Sequence, residues 1–94
     1  MPIETLPFDA ADHLQSGAAQ LELLGDAFAS GNAAYVAAAL GVIARAKGMT
    51  DVSREAGVTR EALYKALSAE GDPKLSTLLG VLRALDIELH VAAL

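Results

Sequence analysis

Apolar positions recur three and four residues apart over most of the chain, the spacing of helices that each bury one face. Leu21, Leu24 and Phe28 carry it within residues 18–29, and Gly31 stops the run. Asn32 has the chemistry of an N-cap for a second helix, in which Val36, Leu40 and Ile43 fall on one stripe running to Lys47 and closed by Gly48. Two short helices are predicted next, one from Thr50 to the residue before Gly57 and one over 59–67. Each is opened by a threonine whose hydroxyl can accept a first-turn amide hydrogen bond. After a loop over 68–71, Asp72 as N-cap and Pro73 at the first helical position predict a last helix, with Leu75, Leu78, Leu79, Leu82 and Leu85 expected in the core.

The two ends of the chain follow a different pattern. Pro2 and Pro7 flank Ile3 and Leu6 and steer residues 2–7 into extended backbone, followed by a helical turn over 9–14. At the other end, residues 87–91 alternate apolar and polar side chains as a half-buried strand does. This strand is expected to pair either with a dyad-related copy of itself, through Ile87, Leu89 and Val91, or with residues 3–6. The predicted class is all-α, five helices with a short N-terminal extension and a candidate C-terminal β-strand. Residues 1–31 form an acidic segment, extended and then helical, and residues 32–94 carry the pair of short helices and the strand. No internal repeat or low-complexity segment interrupts the chain.

Ninety-four residues suffice for one modest core. The chain is 53% hydrophobic but only 4% aromatic, so that core is expected to be built of alanine, leucine and valine between closely packed helices. It has no cysteine, which excludes disulfides and thiolate zinc sites and fits a cytoplasmic protein. No targeting segment or long apolar run is present, so a soluble protein away from the membrane is expected. His13 and His90 lie far apart without clustered carboxylates, no Gly-x-Ser-x-Gly occurs, and the glycines form no phosphate-cradling loop. No catalytic residue, metal or cofactor is expected, and an enzyme is not predicted.

The net charge of −5 is unevenly distributed. Residues 1–44 hold Glu4, Asp9, Asp12, Glu22 and Asp26 and no lysine or arginine, whereas Arg45, Lys47, Arg54, Arg60, Lys65 and Lys74 all lie between 45 and 74. An acidic half suits a basic protein partner, and a locally basic half suits phosphate.

The run Val52-Ser-Arg-Glu-Ala-Gly-Val-Thr-Arg-Glu-Ala-Leu-Tyr-Lys-Ala-Leu67 resembles the helix-turn-helix of phage-repressor-like proteins. Gly57 stands at the turn, where positive φ is needed. Val52, Ala56, Val58, Leu63 and Ala66 have the spacing of inward positions, which leaves Thr59, Arg60, Glu61, Tyr64, Lys65 and Ser68 facing out. Such a helix fits the major groove of double-stranded DNA, where arginine can bond a guanine edge and tyrosine can meet a thymine methyl. Arg60 and Tyr64 are the expected base contacts. Lys65 and Thr59 suit phosphate or either role, with Lys47, Arg45 and Lys74 as peripheral phosphate contacts. Ser53 stands where such motifs usually carry alanine, and its hydroxyl must bond back to a helix carbonyl or stay half exposed.

A wider resemblance rests on Ala39-Leu-Gly-Val-Ile-Ala-Arg-Ala-Lys-Gly-Met-Thr50, Thr59-Arg-Glu-Ala-Leu-Tyr-Lys-Ala-Leu-Ser68, Glu70-Gly-Asp-Pro73, Phe8-Asp-Ala-Ala-Asp12 and Val81-Leu-Arg-Ala-Leu85. With these runs the chain is similar over nearly its whole length to the HigA-like family of addiction-module antidote proteins. The resemblance implies a lambda-repressor-type, XRE/Cro-like DNA-binding domain, a small basic toxin of the RelE and ParE superfamily as partner, and repression of its own operon by a homodimer on operator DNA. The family's DNA-facing positions fall on Thr59, Arg60, Glu61, Tyr64, Lys65 and Ser68. Ser16-Gly17-Ala18-Ala19 departs from the family, which usually carries acids there. Three readings stand in decreasing order: an autoregulating antitoxin, a stand-alone transcriptional regulator, and a helical interaction protein that does not bind DNA.

Overall fold

The computed structural model describes residues 17–94. The extended segment over 2–7, the turn over 9–14, His13 and the acids Glu4, Asp9 and Asp12 lie outside the described residues, as does pairing of the C-terminus with residues 3–6. Five helices follow in order: α1 (Gly17–Ser30), α2 (Ala33–Lys47), α3 (Met49–Ala56), α4 (Arg60–Ala66) and α5 (Leu75–Ala84). Among the described residues there is no strand, and the molecule is all-helical.

The core is assembled from one stripe of each helix: Leu24 and Ala27 of α1, Leu40 and Ile43 of α2, Val52 of α3, Leu63 of α4 with Leu67 just beyond it, and Val81, Leu82 and Ala84 of α5. Leu40, Ile43, Val52, Leu63 and Val81 are fully buried. With so few aromatic side chains, density comes from small residues at the crossings. Gly41 marks one of them: a Cβ there would stand 2.4 Å from the Leu67 carbonyl oxygen, so only glycine lets the end of α4 lie this close to α2.

Several boundaries follow the sequence. The Asn32 side chain accepts a hydrogen bond from the Tyr35 amide at 3.1 Å and caps α2. Thr50, expected to cap the third helix, instead lies inside α3. Gly48, at φ 126°, both ends α2 and opens α3, so the helix starts before the threonine is reached, with no side-chain cap. Asp72 and Pro73 do not start the last helix either. Lys74 is extended, with ψ of 154°, and α5 begins at Leu75.

The five leucines expected in the core divide between two faces. Leu82 is buried and Leu78 and Leu85 pack half-buried against the core, while Leu75 and Leu79 are 68% and 46% exposed. Leu78, Val81, Leu82 and Leu85 follow the three-four spacing and take the inner face, leaving Leu75 and Leu79 on the flank. Leu21 of α1 is likewise 58% exposed.

The C-terminal strand does not form among the described residues, none of which offers it an edge to pair with. The chain leaves α5 through a turn in which Asp86 takes φ of 58° and the Ile87 amide donates to the Leu82 carbonyl at 2.9 Å. That pattern, a left-handed residue followed by a long hydrogen bond back into the helix, folds Ile87 onto the core. Leu89 and Val91 stay exposed.

Candidate functional site

The described region that combines exposed cations, an exposed ring and a fixed backbone is the pair α3 and α4 with the end of α2. Gly57 is left-handed at φ 77° and Val58 donates its amide to the Ser53 carbonyl at 3.0 Å, which turns the chain sharply out of α3. Thr59 then caps α4, its hydroxyl accepting from the Ala62 amide at 3.0 Å. Ser53 is buried at 5% exposure, and its hydroxyl donates to the Thr50 carbonyl at 3.0 Å, so the serine at this crossing is satisfied within its own helix.

Leu63 anchors α4 in the core, and that orientation turns Arg60, Glu61, Tyr64 and Lys65 outward, with Thr59 also exposed. Arg60 and Tyr64 share one row of the helix. The Arg60 guanidinium lies 5.7 Å from the centre of the Tyr64 ring, and its Nη2 donates to the Tyr64 hydroxyl at 3.5 Å, the outer limit of a hydrogen bond. Arg45 reaches the same ring from α2, its guanidinium 5.8 Å from the ring centre.

Two guanidinium groups therefore converge on a single half-exposed tyrosine. Neither pairs with a carboxylate among the described residues, whereas Arg54, on the outer side of α3, is bonded to Asp51. Charge left unneutralised beside a planar ring favours an anion, and the ring limits how far the guanidinium groups can swing. The other edge of α4 carries Lys65 and Ser68, which line a groove of about 570 Å³ with Lys74 from before α5 and with Glu70 and Asp72. The Ser68 hydroxyl is engaged, donating to the Lys65 carbonyl at 3.0 Å.

Sequence spacing put Arg45 at the periphery, and the structure brings it to the centre of this face. No local pattern could have signalled this, because Arg45 and Tyr64 meet only through the α2–α4 crossing at Gly41. Lys47 goes the other way. Its Nζ donates to the Ala84 carbonyl at 2.5 Å, a bond that ties the end of α2 to the last turn of α5. Among the described residues no group of three or more histidines and carboxylates could hold a metal ion. No described helix is long and apolar enough to cross a membrane.

Comparison with known proteins adds an independent line. A family model described as "Probable addiction module antidote protein" matches residues 4–93. A protein of Haemophilus influenzae, described as an uncharacterized protein, is 40% identical over 84 residues, covering 89% of this chain and 87% of its own length. No solved structure matches the chain.

Proposed function

The chain belongs to the probable addiction module antidote family, whose model spans nearly all of it, and on that premise we propose that it is an antitoxin that also represses its own operon by binding operator DNA through α4. An antidote implies a toxin as partner. From the resemblance in sequence, that toxin is a small basic protein of the RelE and ParE superfamily. As regulators of this kind do, the protein works in the cytoplasm as a homodimer, meeting two half-sites of its operator.

The observation that carries the DNA reading is the Arg45–Tyr64–Arg60 cluster, two guanidinium groups on one exposed ring without a neutralising carboxylate among the described residues. Set in a major groove, α4 presents Arg60 to a guanine edge and Tyr64 to a thymine methyl, while Glu61 can accept from cytosine. Arg45 meets a phosphate beside them, and Thr59, Lys65 and Lys74 meet the backbone along the strand.

Two experiments separate the two roles. Co-expression with the adjacent reading frame should rescue growth from its toxicity, and a lack of rescue removes the antitoxin reading. In a gel shift on the DNA upstream of the gene, Arg60→Ala should lower specific affinity by about 1–3 kcal/mol and relax base preference, and Lys65→Ala should weaken binding to all sequences alike. Equal affinity of wild type and both variants would refute the docking of α4.

A further inference from the structure

The two arginines that meet the Tyr64 ring do so in different ways. Arg60 stands one turn earlier on the same helix and reaches the hydroxyl end, its Nη2 3.5 Å from the phenol oxygen. Arg45 comes from α2, with its guanidinium over the ring at 5.8 Å from the centre.

The fold decides where Arg45 can lie. Long side chains on a helix lean back toward its N-terminus. Here that lean carries the guanidinium over Gly41, one turn earlier on α2, where a Cβ would stand 3.4 Å from Nη1. Gly41 also admits the Leu67 carbonyl at the α2–α4 crossing. One bare position therefore brings the end of α4 against α2 and leaves the Arg45 guanidinium a place against the ring that α4 carries. Arg60 is then left the other end of the tyrosine, because two like charges repel. The phenol oxygen accepts from Arg60 there and keeps its own proton to donate.

We propose that Arg45 is a positioning residue for base reading: it fixes the Tyr64 ring and, through the ring's hydroxyl, the Arg60 guanidinium, so that discrimination between base pairs depends on a side chain that meets none of them. This deepens the operator reading above and rests on it. Side chains ordered before contact lose less freedom on binding, and a reader held in one orientation rejects the wrong base more sharply. A contact to phosphate acts on every sequence alike and asks only for a charge. Resting on a ring asks for the flat guanidinium, which lysine does not have. Arg45 meets both demands, and the two are separable by substitution.

The test compares the affinity of the full chain for the DNA upstream of the gene with its affinity for a fragment of equal length and shuffled sequence, by fluorescence anisotropy at one salt concentration. Arg45→Lys keeps a cation for the backbone and removes the plane from the ring. The ratio of the two affinities should fall about fivefold or more. Tyr64→Leu keeps an apolar group for a base methyl and removes the ring, and in that background Arg45→Lys should lower the ratio no further. Arg45 is exposed, and circular dichroism checks that each variant is folded. An Arg45→Lys variant with the wild-type ratio overturns the proposal and leaves the operator reading standing, as does an equal loss with and without the ring. A wild type that does not prefer the upstream DNA removes the operator reading itself and this proposal with it.

Discussion

Asp86 combines a left-handed backbone with an acidic side chain at a helix end, and neither choice stabilises the folded monomer. Replacing it with glycine removes the steric cost of positive φ, offset in part by the greater freedom of glycine in the unfolded chain. Asp86→Gly should therefore stabilise the monomer by about 0.5–1 kcal/mol. Chemical denaturation checks this, and a loss of stability would mean that the carboxylate makes a favourable contact within its own chain. At the same scale the outward residues of α4 were legible from helical spacing alone: with Leu63 and Ala66 turned inward, Arg60, Tyr64 and Lys65 had to face out. Lys47 was not legible, because its acceptor is a carbonyl 37 positions away that no local pattern specifies.

Between elements, the α2–α4 crossing sets the geometry of the candidate site. The absent Cβ of Gly41 admits the Leu67 carbonyl, and the same hypothetical Cβ would stand 3.4 Å from Nη1 of Arg45. Gly41→Ala must push the end of α4 outward, and overpacking of this kind should cost about 1–3 kcal/mol. Denaturant unfolding would measure the loss, and the variant should also bind DNA more weakly, because Arg45 and Tyr64 separate. Unchanged stability would show that the crossing has slack. Helices whose ends depend on one local residue, such as Asn32, Gly57 and Thr59, were readable in the sequence. Where the ends depend on neighbours they were not. A Cβ on Gly71 would stand 2.1 Å from the Ala66 carbonyl oxygen, so the chain crosses the end of α4 in contact with it and runs extended through Lys74 before α5 can begin. Asp72 and Pro73, good helix starters in isolation, are spent on that crossing.

For the whole molecule the decisive quantity is the placement of charge, since a protein of net charge −5 is repelled by DNA at long range. Binding must come from a local face. If Arg45, Lys65 and Lys74 each neutralise a phosphate, the logarithm of affinity should fall against the logarithm of salt concentration with a slope of about −3 per copy. Titration by fluorescence anisotropy at several salt concentrations checks it, and a slope near zero would mean that these cations do not meet the backbone. The all-helical class was readable from periodicity over the described chain. The C-terminal strand was not, because alternation over five residues cannot reveal that the first of them, Ile87, is drawn back onto its own helix.

The bond from Lys47 to the last carbonyl of α5 has a consequence for how freely α2 can move against α5. Lys47 stands two residues after Arg45 on α2, and Ala84 closes α5, so one ammonium group couples the helix that carries Arg45 to the end of the last helix. A chain without that ammonium loses the tie between its second and last helices.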